Sequence, residues 1–143
     1  PLTPYAMAKV ETFNHLTNLF HEKDMEFLWC RLFYLYGDGE DERRLVPFLI
    51  NNLSKGKSVE LSSGDKIKDY LDVAKAGEII SNLALSDHTG PYNVCSGKGI
   101  SIKSLAESIA DRYNRRDLLK FGNPKVNNLD PDFIVGKKTD PNF

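Results

Sequence analysis

Tyr5 and Lys9 lie four residues apart in the segment Pro4-Tyr5-Ala6-Met7-Ala8-Lys9. If that segment is helical, the two side chains share one face. A tyrosine with an ordinary pKa of about 10 neither gives nor takes a proton readily near neutrality. An ammonium close by favours the phenolate and lowers that pKa. The pair can then exchange a proton with a hydroxyl or carbonyl of a bound reactant. Spacing alone decides little, because a solvated Tyr and Lys on a helix face is the plain alternative in a chain with six tyrosines.

The remaining reactive side chains read more simply. His15 and His21 fall on the predicted first helix and His88 in a loop, and none has ligand spacing with Cys30 or Cys95. No metal site is expected. Cys30 and Cys95 each sit inside an apolar run and read as buried free thiols. Gly97-Lys98-Gly99 lies between a predicted strand and a predicted helix but lacks a third glycine, so it reads as a turn, not a phosphate cradle. Glu40-Asp41-Glu42-Arg43-Arg44 reads as a solvated loop entering a helix, and Arg115-Arg116 as a surface pair.

These groups need elements to hold them. Thr3 can cap and Pro4 can start a helix in which Ala6, Met7, Val10, Phe13, Leu16 and Phe20 recur at helical spacing to about His21. Met25 to Phe33 is dense in apolar and aromatic residues and reads as a buried strand, with Trp29 and Cys30 in the core. A second helix is predicted over Leu45 to Lys55, with Pro47 tolerable only in its first turn. Short strands follow at Ser58 to Leu61 and Ile67 to Leu71, then a helix over Val73 to Leu85 and a strand at Tyr92 to Cys95. Ser101 caps a fourth helix with the stripe Ile102, Leu105, Ile109 and Tyr113. Leu118 to Phe121 reads as a last strand, and the chain beyond Gly122, with Pro124, Pro131 and Pro141, as irregular. Alternating helices and strands make the fold class α/β.

At 143 residues the chain fits a single core. Net charge of −1 gives no basic field for nucleic acid or anionic lipid. The apolar runs are too short to cross a membrane, and no secretion signal is visible, so a cytoplasmic location is expected. The first residue is Pro1, which suggests a piece of something longer.

Pro1-Leu2-Thr3-Pro4-Tyr5-Ala6-Met7-Ala8-Lys9 resembles the Pro-x-x-Pro-Tyr-Ala-x-Ser-Lys segment of the extended short-chain dehydrogenase/reductases, which epimerise, dehydrate or reduce nucleotide-activated sugars. Three further segments follow in that family's order. Arg31-Leu32-Phe33-Tyr34-Leu35-Tyr36-Gly37 resembles its Arg-x-x-Asn-x-Tyr-Gly strand end, and Lys68-Asp69-Tyr70-Leu71-Asp72-Val73 its Arg-Asp-Phe-Ile-His-Val segment. Tyr92-Asn93-Val94-Cys95-Ser96-Gly97 resembles its Tyr-Asn-Val-Gly-Ser-Gly strand.

The resemblance implies the C-terminal part of a Rossmann-like fold: its end, with the Tyr-Lys helix and the next strand, merged over residues 1–143 with the smaller nucleotide-sugar-binding subdomain. It implies NAD or NADP as cofactor, with the pyrophosphate-binding strands and a catalytic Ser or Thr upstream of the tyrosine. Tyr5 would be the general acid/base. Lys9 would bind the nicotinamide ribose and lower the tyrosine pKa, Phe33 would lie near the nicotinamide, Tyr34 would face substrate, and Lys68 would meet the sugar-nucleotide diphosphate. Tyr34 replaces the usual asparagine and Lys68 the usual arginine, which loses a bidentate fork. The look is nearest to 4-keto-sugar reductases or epimerases of surface-polysaccharide synthesis. A homodimer is implied for the full-length enzyme, and self-association for this piece, whose first strand would have a free edge. The competing expectation is a nucleotide-sugar-binding or interaction module without catalysis.

Overall fold

The computed structural model describes residues 3–122 and 130–139. In chain order the elements are α1 (Pro4–Glu22), β1 (Leu28–Leu32), β2 (Tyr34–Tyr36), α2 (Leu45–Ser54), β3 (Val59–Glu60), β4 (Ile67–Asp72) and α3 (Val73–Ala84). Then come β5 (Gly90–Val94), β6 (Gly99–Ser101), α4 (Ile102–Asp111), a one-turn 3-10 helix (Arg116–Leu118), β7 (Leu119–Lys120) and β8 (Phe133–Ile134). The α/β class holds.

Local chemistry sets the helix starts. Thr3 Oγ1 accepts from Ala6 N at 3.1 Å and Pro4 opens α1, so an otherwise orphan donor is satisfied where proline needs none. Asp72 caps α3 through Ala74 N at 2.9 Å, and Ser101 caps α4 through Ser104 N at 3.0 Å. Helix α2 starts without a side-chain cap, with Pro47 in its first turn.

The segment 28–36 is one extended path that changes partners. β1 pairs in parallel with β5, and β2 pairs in parallel with β4. Phe33 stands at the crossover, its N–H donating to Val94 O at 3.3 Å. β4 also pairs antiparallel with β6 and parallel with β8, while β3 and β7 form a separate parallel pair.

Two apolar cores result. One joins α2, β3, α4 and β7 around Leu49, Leu53, Val59, Ala106 and Ile109. The other packs α3 on β4 and β5 through Leu71, Ala76, Ile79, Leu83, Tyr92 and Val94. Of the stripe predicted for α4, Ile109 is buried and Leu105 and Tyr113 pack half-buried against the first core, while α3 buries Ala76, Ile79 and Leu83. No described helix is long and apolar enough to cross a membrane.

Several expectations need correction. The Met25 to Phe33 strand is shorter and only half covered: Met25 is 57% and Leu32 52% exposed, and Trp29 and Cys30 are half-buried. The cause is that β1 has one partner strand among the described residues, β5. Both cysteines are free thiols, but only Cys95 is buried. β6 and β8 are not among the expected strands; the strand expected at Leu118 to Phe121 exists as β7 (Leu119–Lys120), and β8 follows it among the described residues. Pro1, Leu2, Pro124 and Pro141 lie outside the described residues, as does most of the predicted irregular stretch.

Candidate functional site

Helix α1 carries Tyr5 and Lys9 on one face, as the spacing requires. The Lys9 ammonium lies 5.6 Å from the centroid of the Tyr5 ring, over its face. Tyr5 is 73% exposed, so the phenol is open to an incoming reactant. Both residues wall a cavity of about 460 Å³ between α1 and β1, together with Phe13, Trp29 and Arg31. The aromatic contacts that seat the helix are few: Phe13 meets Trp29 at 5.5 Å between ring centroids, and Phe20 stacks on Phe27 at 5.1 Å. Arg31 lies over the Phe13 ring at 5.4 Å.

A second cavity of about 460 Å³ adjoins the first, since Arg31 and Leu32 line both. It brings in Phe33, Tyr34, Arg44 and Ile134. Four of the five sequence-predicted residues thus line two contiguous cavities. Lys68 does not. Its side chain is 3% exposed, and its ammonium donates to Asp130 Oδ1 at 2.7 Å and Pro131 O at 2.6 Å. It also lies over the Tyr34 ring at 5.3 Å. The physical reason is the pleat. Lys68 and Tyr70 share a face of β4, and that face is covered by Tyr34, whose ring stands 5.6 Å from that of Tyr70, and by the segment around Asp130.

Asp130 is the hub of this network. Burial opposes its ionisation, but hydrogen bonds from Lys68 and Lys66 and the charges of both lysines outweigh it and hold the carboxyl below the usual range. The Tyr34 hydroxyl donates to Asp130 Oδ1 at 3.4 Å. Beside it, burial pushes the Tyr70 phenol up to about 12, with Tyr34 adding to the rise, Arg44 opposing it, and Glu40 and Asp130 contributing further.

On the opposite face of β4, Asp69 is fully buried. Its carboxylate accepts from Ser96 N at 2.8 Å, Ser96 Oγ at 2.6 Å, Gly97 N at 2.9 Å and Gly136 N at 3.1 Å. The Lys98 amide is likewise taken up, by Ser96 Oγ at 3.1 Å. The Gly97 and Lys98 amides of this turn are therefore both engaged within the protein. Gly136 is fixed by close approach, because a Cβ there would stand 2.5 Å from Cys95 Sγ and 3.0 Å from Phe33 Cζ.

A larger groove of about 1000 Å³ runs between α2 and α4, but none of the five predicted residues lines it. What the sequence reading missed lies elsewhere. Asp130 was hidden in an Asp-Pro-Asp turn 62 residues from Lys68. Arg44 was hidden in a charge run that read as solvated, and its one available signal was its place immediately before the first turn of α2.

The chain matches the family described as "NAD dependent epimerase/dehydratase family" over residues 1–95. It is 32% identical over 87 residues to CDP-abequose synthase of Salmonella typhimurium, covering 57% of this chain and 29% of that protein. It is 23% identical to dTDP-4-dehydro-6-deoxyglucose reductase of Escherichia coli, covering 87% of this chain and 41% of that one. Among solved structures, UDP-N-acetylglucosamine 4-epimerase from Methanobrevibacter ruminantium, in complex with UDP-N-acetylmuramic acid, superposes with a TM-score of 0.83 at 23% identity over 97% of this chain and 46% of its own. RMD from Pseudomonas aeruginosa, complexed with NADPH, gives 0.84 at 21% identity over 96% and 48%. The chain thus spans less than half the length of each of these four relatives. The two structural likenesses speak for the fold alone; the family match, over about two-thirds of the chain, establishes that it belongs to the NAD-dependent epimerase/dehydratase family.

Proposed function

We propose that this chain forms the catalytic-helix and substrate-facing part of a nucleotide-sugar epimerase, dehydratase or 4-ketoreductase, in which Tyr5 and Lys9 handle the proton. The observation that carries the reading is the geometry of that pair: two side chains on one face of α1, the ammonium 5.6 Å from the ring centroid, both opening onto one cavity.

The residues present fit a nicotinamide ribose. Lys9 lines the cavity and meets no carboxylate among the described residues, so its N–H donors are available to ribose hydroxyls. NAD or NADP would supply the hydride acceptor or donor. Tyr5 Oη gives or takes the proton at the oxygen of the sugar carbon that is oxidised or reduced, and the positive charge of Lys9 stabilises the phenolate as it forms. Phe33, at the crossover between β1 and β2, forms an apolar wall that excludes water beside the reacting carbon, and Tyr34 faces the sugar. The nearest reaction class is 4-keto reduction or epimerisation, a lean supported by the sequence match to CDP-abequose synthase. In this reading the chain contributes the end of the Rossmann-like part together with the nucleotide-sugar-binding part.

The test is Tyr5→Phe in the intact gene product, assayed with CDP-, UDP- and dTDP-linked 4-keto-sugars and their reduced forms. Loss of the phenolic proton should lower kcat by about 10²–10⁴-fold with nucleotide-sugar binding unchanged. Full turnover in the Phe variant would exclude the acid/base role.

A further inference from the structure

We propose that Arg44, rather than Lys68, supplies the cation that meets the substrate's diphosphate; the inference rests on the nucleotide-sugar reading above and assigns the charge within that site.

The argument begins with which positive charges are free. Lys68 is buried, with its ammonium held by Asp130 and Pro131 and covered by the Tyr34 ring. To reach a phosphate it would have to leave Asp130 and displace Tyr34, and a part-buried carboxylate would lose its closest cation. Lys66 is also engaged, donating to Asp130 O at 2.5 Å and lying 3.3 Å from Asp130 Oδ2. With Asp132 Oδ1 3.9 Å from Lys66, the two lysines face two aspartates, and this balanced cluster leaves little net field for a further anion.

Arg44 differs on each count. Its side chain is 55% exposed and lines the second cavity beside Phe33 and Tyr34. Glu40 Oε1 accepts from its Nε at 3.2 Å, and the two terminal nitrogens have no partner among the described residues. That arrangement holds the stem and leaves the outer edge of the guanidinium free, the edge that takes two phosphate oxygens at once. Glu40 is well placed for the task, because its side chain is only 14% exposed and its second oxygen is buried. Arg44 also immediately precedes α2, whose first turn has no side-chain cap, so the helix dipole adds to the positive potential at the same end of the cavity. The loss of the fork at position 68, where this sequence has lysine, is thereby made good from a different element.

The experiment measures binding of CDP, UDP and dTDP, of the matching nucleosides and of inorganic pyrophosphate to the intact gene product by calorimetry. The variants are Arg44→Gln, Arg44→Lys and the double variant Lys68→Met/Asp130→Asn, which removes both charges of the buried pair together, with folding checked by urea unfolding. Arg44→Gln should weaken diphosphate binding roughly tenfold to a hundredfold, flatten its salt dependence and leave nucleoside binding unchanged. Arg44→Lys should recover part of the loss, since charge returns without the fork. The double variant should keep diphosphate affinity within about threefold. Unchanged diphosphate binding in Arg44→Gln, or a loss confined to the double variant, overturns the assignment while leaving the nucleotide-sugar reading intact. Wild-type protein that binds none of the nucleoside diphosphates overturns both.

Discussion

Strand β4 and helix α1 both carry residues central to this family resemblance, and the structure treats them in opposite ways. β4 is enclosed: Lys68, Asp69 and Leu71 are buried, and the charged groups of Lys68 on one face and Asp69 on the other are both partnered. Helix α1 has no buried residue along its 19 positions, and its apolar Met7 and Val10 stand 50% and 46% exposed. Sequence similarity therefore marks two different physical duties. On β4 it marks a junction that holds the β5–β6 turn and the segment before residue 139 in register. On α1 it marks an open face, for which we propose the proton chemistry, and whose packing within the described residues is slight. A helix this open depends on a few ring contacts, because isolated helices of this length are marginal in water.

The largest effect should come from breaking the enclosed side. Asp69→Ala removes one acceptor group and leaves three backbone N–H groups and the Ser96 hydroxyl without it. The Gly136 amide is buried and the Ser96 and Gly97 donors are only part-buried, so water can satisfy some of them, and a loss of about 2–4 kcal/mol is expected in urea unfolding. Hydrogen exchange should then accelerate at Ser96, Gly97 and Gly136 together. Stability within about 1 kcal/mol of wild type would show that the carboxylate is not the tie between these segments.

The open side should give a smaller and more local response. Phe13→Ala deletes the ring that meets both Trp29 and Phe27 and that lies under Arg31. Helix α1 should lose about 1–2 kcal/mol of local protection, read as faster amide exchange in α1. Exchange in α3 and α4, which pack into the two cores, should stay as it was. A uniform rise across all helices would show that α1 is as integral to the fold as β4 and would erase the contrast.

How much of this was readable beforehand follows the same division. Short-range chemistry was legible: the Thr3-Pro4 start of α1, the Ser101 cap of α4, and the extent of α3; the Asp72 cap of α3 was not read. The Tyr5–Lys9 pairing was legible too, because a four-residue step on a helix is local geometry. The path 28–36 was read only in part. Its apolar density gave a strand, but the change of partner at Phe33 depends on β4 and β5, which come later in the chain. β6 and β8 are three and two residues long and exist only because β4 offers them edges. Lys68 was assigned by position to a diphosphate, yet its surroundings are set by Asp130, 62 residues on. No periodicity carries such a contact.

Tyr70 allows the finest test, because it stands on the enclosed strand and also lines the groove between α2 and α4. Its phenol is pushed up to about 12, first by burial, whereas an unfolded tyrosine ionises near pH 10. Below about pH 10 both states hold the proton and Tyr70 adds no pH dependence. Between about pH 10 and 12 the unfolded chain releases that proton and the folded chain does not, so the folded state binds more protons and stability must fall as pH rises. Lysines titrate in the same window, so the informative quantity is the difference between wild type and Tyr70→Phe. Urea midpoints measured from about pH 9 to about pH 11.5 should fall more steeply for wild type, the two lines separating above about pH 10. Removing the hydroxyl also removes a group that senses Tyr34, Arg44, Glu40 and Asp130. Parallel lines would mean that water reaches this phenol freely, and that the face of β4 carrying Lys68 is as open as α1.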